Sequence, residues 1–354
     1  MSAATAATSR IRSAKVVRPS LLGDGGTRSV GLIACAATLG VVVFLSLALG
    51  SAELDLASVI GAFTTFDGSN DHLIVMELRL PRTLVGVAVG ASLALSGVLM
   101  QGVTRNPLAD PGILGVNAGA SLAVVVSIVV FGIGDVGTYV WFALAGAMIA
   151  SALVYALGSV GRGRTTPVRL ALAGAVLAAL LGSATAAVIV LDAQTLDQYR
   201  FWVVGSIAGR DFGVLLAVLP FLLVGALVAI GAGRQLNALS LGDETAASLG
   251  LRVGVVRMIV SLGVVLLAGA SVAAAGPVAF VGLAVPHAAR MLVGADYRWI
   301  TAYAVVLGPV LLVGADILGR ILARPSELQV GIMTAIIGAP VFVWLARRSR
   351  MAEL

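Results

Sequence analysis

The feature that most limits this chain is an apolar run too long for a soluble core. From Thr83 to Thr104, TLVGVAVGASLALSGVLMQGVT, 22 residues pass without a charge. At about 1.5 Å of rise per residue, that is enough helix to cross a hydrocarbon layer roughly 30 Å thick. Gly86, Gly90, Ala91, Ser92, Ser96 and Gly97 lie inside it. Small residues of this kind let another helix approach closely. Arg79, Pro81 and Arg82 precede the run, and Arg105-Asn106-Pro107-Leu108-Ala109-Asp110-Pro111-Gly112 turns the chain after it.

Comparable runs recur along the sequence. Apolar stretches bounded by charges, prolines or polar clusters predict spans near 30–50, 83–104, 112–132, 137–158, 168–190, 212–232, 256–275, 278–294, 300–318 and 329–346. From Met258 to Ala289 there is no charge at all, and Gly276-Pro277 splits that stretch into two spans; one tilted helix is the alternative. Hydrophobic residues make up 59% of the chain and charged ones 11%, with a mean hydropathy of +1.06. The predicted class is an all-α polytopic membrane protein of about ten transmembrane helices. Residues 1–28 read as a disordered cytosolic tail, 29–348 as one transmembrane domain and 349–354 as a short cytosolic tail. Val30–Gly50 is longer than the apolar region of a secretion signal and is read as a retained span.

The net charge of +6 reports orientation rather than a nucleic-acid partner; lipid is the expected surrounding. With the N-terminus inside, 17 of the 23 basic residues fall on the cytosolic side. The outer side keeps Arg79, Arg82, Arg200, Arg210, Arg320 and Arg324. Both termini are therefore expected in the cytosol.

An echo within the sequence points to internal symmetry. Gly90-Ala91-Ser92-Leu93-Ala94-Leu95-Ser96-Gly97 returns as Gly269-Ala270-Ser271-Val272-Ala273-Ala274-Ala275-Gly276, and at the same offset Pro107 falls on Pro286. One copy lies in a span running inward and the other in a span running outward, the pattern of an inverted repeat. Between spans, residues 51–78 read as partly helical and surface-lying. The inner segment 234–255 reads as a short helix over Asp243–Leu249, stopped by Gly250, with Asp243 in position to cap it.

Catalysis within this chain is not expected. A P-loop needs its lysine for the phosphates, and the sole lysine, Lys15, follows no glycine-rich run. His72 and His287 are isolated and read as structural. The single cysteine, Cys35, permits no internal disulfide. Ion-coupled carriers keep ionisable relays deep in the bilayer, whereas here nearly every charge sits in a loop or at a span end. Asp316 is the nearest exception. A driving force supplied by another subunit fits better than a secondary carrier.

The block RLPRTLVGVAVGASLALSGVLMQGVTRNPLADPGILGVNAGA resembles the FecCD-type permeases, the membrane subunits of ABC importers for ferric siderophores, haem and cobalamin. Three further blocks agree in order: LSLGDETAASLGL at 239–251, AGPVAFVGLAVPHAARMLVGADYR at 275–298 and ELQVGIMTAIIGAPVFVWL at 327–345. The resemblance implies the type II importer permease fold, with ten spans. It also implies a second permease subunit, identical or paralogous, two cytosolic ABC ATPases that hold ATP and Mg²⁺, and an extracytoplasmic binding protein or lipoprotein. No cofactor is implied in this chain. By the same resemblance Arg79, Arg82 and Arg320 receive carboxylates of the binding protein, and Arg–carboxylate pairs are directional enough for that task. Leu241, Gly242, Asp243, Glu244, Ala247, Ser248, Leu249 and Gly250 form the face that couples to the ATPase. Asn106, Pro107 and Leu108 close the path at the cytosolic gate, where Pro107 disfavours helix at Asn106. The implied solute is a ferric siderophore, with cobalamin or haem as the alternative. The expected location is a bacterial cytoplasmic membrane.

Overall fold

The computed structural model describes residues 21–350 except 134 and 160–166. Residues 1–20, which make up most of the expected N-terminal tail, and 351–354 lie outside the described residues. Among the described residues every regular element is helical. In chain order these are α1 (Gly25–Ala48), α2 (Leu56–Thr64), α3 (Asn70–Leu73), α4 (Leu80–Thr104), α5 (Val116–Phe131), α6 (Val136–Ser159), α7 (Pro167–Leu191) and α8 (Ala193–Val203). They continue as α9 (Phe212–Gly231), α10 (Gly233–Ser240), α11 (Asp243–Ser248), α12 (Val253–Ala275), α13 (Val281–Val293), α14 (Tyr297–Leu322) and α15 (Val330–Arg350).

Seven of these helices are long and apolar enough to cross a membrane, and Val116–Phe131, Val281–Val293 and Val330–Trp344 are shorter apolar helices. The protein is thus a helical, multi-pass membrane protein. α1 begins at Gly25, four residues ahead of the boundary read from composition, because Asp24 caps it: its carboxylate accepts from the Thr27 backbone N–H at 3.0 Å. The uncharged stretch 258–289 is broken after Ala275, where Gly276 (φ 72°), Pro277 and the left-handed Phe280 (φ 69°) prevent helix from continuing. α13 starts again at Val281.

α4 is the centre of the bundle. Every residue from Ser92 to Val103 is buried, and α4 packs on α9, α12, α13 and α14. Its partner in the middle is α12, buried throughout from Leu267 to Ala275. The two copies of the small-residue echo therefore lie in the interior on helices that touch. Their proline counterparts differ locally: Pro107 is in a loop and Pro286 inside α13.

Glycine sets the helix spacing. A methyl group built on Gly97 would lie 1.8 Å from the Gly282 carbonyl oxygen of α13, and one on Gly90 would lie 2.8 Å from that of Gly308 in α14. Neither neighbour is a side-chain tip that could swing away. Lipid tails give helices no hydrophobic reason to associate, so such backbone-to-backbone approaches carry much of the packing. By contrast, a methyl group on Gly182 of α7 would meet nothing within 4 Å.

The segment 51–78, expected to be partly helical, contains α2 and α3 followed by a π-helical stretch, Ile74–Arg79, that runs into α4. A small separate core of Leu47, Val59, Ala62 and Val75 holds it to the end of α1. His72 is buried there, its Nδ1 2.7 Å from an Asp67 carboxylate oxygen and its ring stacked on Phe66. Helix α8, opened by the Asp192 carboxylate accepting from the backbone of Gln194 and Thr195, was not anticipated. Its mixed polarity reads as loop when spans are sought by apolar runs alone.

Overpacking a tight core site costs about 1–3 kcal/mol and occasionally more. Gly97→Ala is therefore expected to lower the apparent melting temperature of the detergent-solubilised protein clearly, and Gly97→Val to abolish a monodisperse elution peak. Gly182→Ala should change neither, as fluorescence-detected size-exclusion with a thermal ramp would measure.

Candidate functional site

Chemically active side chains collect at the two ends of the bundle. At one end lie Arg79, Arg82 and Arg320, brought together by α1, α4 and α14. Arg79 is only 5% exposed. Its Nη1 donates to the carbonyls of Leu47 and Ala48, both at 2.7 Å, and its Nη2 to that of Ala52 at 2.5 Å. Arg320 is 2% exposed; its Nη1 donates to the carbonyls of Ser46 and Leu49 at 2.9 and 3.0 Å, and its Nη2 to Ser46 Oγ at 2.7 Å. Apart from Ser46 Oγ, these acceptors are the last carbonyls of α1 and the turn that follows, groups that have no partner within their own helix.

Arg82 is held differently. Its Nε and Nη2 grip Asp316 in a two-pronged contact at 3.1 and 2.8 Å, and its Nη1 reaches Glu327 at 2.7 Å. Asp316 is itself buried and also faces Arg320 Nη2 at 3.1 Å. Glu327 accepts a second contact from Ser51 Oγ at 2.9 Å. Burial pushes the Glu327 carboxyl up, but the hydrogen bond and charge of Arg82 outweigh it and hold the group below the usual range. Arg324 adds a contact to the Gly50 carbonyl at 2.8 Å and an ion pair with Glu53 at 3.2 Å. Asp316, which stands out in the sequence as the charge deepest in a span, is thus the shared carboxylate of two arginines.

Two cavities open at this end. One, of about 370 Å³, is lined by Arg79, Arg82, Arg210 and Arg320 together with Glu77, Asp211 and Glu327. All three arginines singled out in the sequence border it. The other, of about 390 Å³, lies beside α5, α6 and α8 and is lined by Arg82, Tyr139, Gln198, Phe201, Trp202, Arg210 and Gln329 among others.

At the opposite end α4 stops at Thr104, and Arg105 takes a left-handed conformation (φ 55°). Glycine would hold that cap with less strain. An arginine serves there because its Nη2 sits 3.2 Å from Asp243 Oδ1, an oxygen that also meets Arg257 Nη2 of α12 at 2.9 Å. Asp243 is the first residue of α11 and makes no side-chain cap; Gly242 (φ 106°) holds the cap position. The capping role read from the sequence is replaced by a link between the ends of α4, α11 and α12.

The other residues expected at this end lie beside the link. Asn106, Pro107 and Leu108 form an exposed, non-helical turn in which Asn106 Oδ1 accepts from the Leu108 backbone N–H at 3.0 Å. Just after it, Asp110 is half-buried, and that burial pushes its carboxyl up. In α11 only Ala246 is buried; Glu244, Ala247 and Ser248 are exposed, as are the flanking Leu241 (64%), Leu249 (63%) and Gly250. Asn237 of α10 bonds Asp296 and the Tyr297 backbone N–H at 2.7 and 2.8 Å, tying α10 to the start of α14. The sequence marks Arg257 only as an orientation charge, and Arg105 only as that and as the head of the gate block, with no partner for either. No local pattern distinguishes an arginine that reaches across helices from one that faces water.

The FecCD transport family model matches residues 38–348. The chain is 44% identical over 322 residues to FepD, the ferric enterobactin transport system permease protein of Escherichia coli, covering 91% of this chain and 96% of FepD. It is also 44% identical over 306 residues to YfmD, the Fe(3+)-citrate import system permease protein of Bacillus subtilis, covering 86% of this chain and 91% of YfmD. A solved inward-facing metal-chelate type ABC transporter superimposes with a TM-score of 0.80 at 28% identity, covering 90% of this chain and 99% of that one. A match across nearly the whole bundle, from the arginine end to the α11 end, is decisive: the chain belongs to the FecCD transport family.

Proposed function

We propose that this chain is the membrane-spanning subunit of an ABC importer that carries a ferric siderophore into the cytosol of a bacterium, across its cytoplasmic membrane. The carrying observation is α11: a short helix flanked by two bared leucines, Leu241 before it and Leu249 at its end, and fastened by Asp243 to the loop that closes α4. Exposed apolar residues bracketing such a helix are a surface for a partner. Ten spans, both termini in the cytosol and an inverted repeat accord with this reading.

In that arrangement two permease chains stand side by side, each seated on an ATPase that holds ATP and Mg²⁺. Leu241, Gly242, Asp243, Glu244, Ala247, Ser248, Leu249 and Gly250 form the docking face. When the ATPase moves α11, the Arg105–Asp243–Arg257 link transmits the displacement to Asn106, Pro107 and Leu108, which gate the cytosolic mouth. At the other end, the rim around Arg79, Arg82 and Arg320 receives the binding protein. Arg79 and Arg320 hold the backbone of that rim in place, while a carboxylate of the delivered protein competes with Glu327 for Arg82. The solute then passes between the two permease chains.

Reconstitution in proteoliposomes with the ATPase and binding protein tests the reading. Ferric-siderophore uptake is expected to require both partners and to stop with vanadate; uptake that ignores ATP and follows an ion gradient would contradict it. The link makes a second prediction. A hydrogen bond between charged groups contributes about 1.5–3 kcal/mol. Arg105→Gln, which breaks the link from outside the docking face, should therefore leave ATPase binding intact while lowering solute transported per ATP by on the order of tenfold, about 1.4 kcal/mol. Normal coupling in Arg105→Gln would show that α11 acts on the gate by another route.

A further inference from the structure

Of the six arginines assigned to the outer side, Arg200 and Arg210 stand outside the network described above; Arg200 has its own acid in Asp197 at 3.3 Å, and Arg210 does not. It lies in the turn between α8 and α9 and is 6% exposed. Arg79, Arg82, Arg320 and Arg324 each meet a carboxylate or backbone carbonyls. Among the described residues no carboxylate stands within salt-bridge distance of Arg210. The neighbouring acids are engaged elsewhere: Asp211 Oδ1 accepts from the Val214 backbone N–H at 2.9 Å, and Asp135 Oδ2 from that of Thr138 at 2.9 Å. What Arg210 has instead is Tyr139, its ring centroid 6.0 Å from the guanidinium carbon and its hydroxyl within the guanidinium's reach. Its Nε is buried without a hydrogen-bond partner.

A buried cation without a counter-charge is costly to keep, and a ring face offsets only part of that cost. The surroundings indicate what completes it. Arg210 lines both cavities at this end, forming part of the wall of each. In the larger, the aromatic side chains of Tyr139, Phe201 and Trp202 stand beside the amides of Gln198 and Gln329, and the one carboxylate on its wall, Glu327, is already paired with Arg82 at 2.7 Å. Trp202 Nε1 is a second buried donor with no partner. Donors and flat apolar walls around one uncompensated charge match an anionic, oxygen-rich small molecule.

We infer that Arg210 is the centre of an entry subsite that holds an anionic oxygen ligand, of carboxylate or catecholate type, on the solute's way from the binding protein to the path. The inference rests on the import reading for the solute's identity, but the subsite's ligand chemistry stands on the cavity alone. It commits to the small solute rather than to a carboxylate of the binding protein. A docking side chain competes with Glu327 for Arg82, whereas Arg210, on the same cavity walls, lies against the Tyr139 ring and has no acid to displace. A polyanionic ferric chelate would thus be favoured over a neutral one.

Citrate is the probe. Equilibrium dialysis of labelled citrate against the purified permease–ATPase complex, without binding protein, is expected to show saturable binding. Arg210→Gln should weaken it at least tenfold, Arg210→Lys should retain part of it, and Arg324→Gln, outside the cavity, should leave it unchanged. If Arg210→Gln does not assemble, Ala208→Glu on the exposed lip of both cavities supplies an internal carboxylate and should abolish binding in its place. Unchanged citrate binding in Arg210→Gln or Ala208→Glu overturns the subsite, as does a loss that Arg324→Gln shares. Binding-protein affinity that falls in Arg210→Gln while citrate binding holds would assign the cation to docking and overturn it as well. Because dialysis involves no transport, the subsite can fail while iron import stands, and can hold if iron import fails.

Discussion

A helix that ends within a membrane protein leaves its last carbonyls without donors, and lipid offers none. The structure depends on how α1 meets that constraint. The carbonyls of Ser46, Leu47, Ala48, Leu49, Gly50 and Ala52 accept from Arg79, Arg320 and Arg324. Those arginines belong to the start of α4 and the end of α14, so satisfying α1 fixes three elements against one another. Asp316 then balances Arg320 and Arg82 together, and Arg82 in turn positions Glu327 ahead of α15. A cluster of like charges becomes tolerable because each guanidinium has acceptors arranged around it.

The far end solves a different problem with similar means. α4 must stop, and the chain must turn back toward α5. Arg105 accepts a strained backbone conformation because its side chain reaches Asp243, and Arg257 shares the same oxygen. One carboxylate thereby gathers the end of the central helix, the exposed α11 and the start of α12. Between the two ends α4 is packed on carbonyls through Gly90 and Gly97, leaving little room for side chains to absorb a displacement. A push on α11 therefore has a rigid element to act on, as gating by a partner requires.

Much of this was legible in the sequence, and the remainder failed for identifiable reasons. The length and lack of charge of 83–104 located the central helix, and Gly276-Pro277 marked the break in the uncharged stretch. Those are local properties of backbone and solvent. Arg79, Arg82 and Arg320 could be recognised as exceptional but not assigned a geometry. Their acceptors are main-chain carbonyls of α1, which no residue type advertises. Asp243 could equally cap its own helix or leave it, and only the approach of Arg105, 138 positions earlier in the chain, decides between them. Helix α8 was missed because its polar residues interrupt the apolar runs by which spans are found. Arg210 was counted with the outer charges, and what sets it apart is the carboxylate it lacks, a property of the fold alone.

The central claim is that Arg79 and Arg320 close the end of α1 instead of standing free as receptors. Leaving a buried acceptor without its donor costs about 1–3 kcal/mol. Thermal unfolding of Arg79→Gln and Arg320→Gln in nanodiscs, with hydrogen exchange followed at residues 46–53, measures it directly. The account predicts a marked loss of stability in both variants, with faster exchange at the end of α1 and unchanged exchange in α11. Stability and exchange equal to those of the native chain, with binding-protein docking lost, would contradict it.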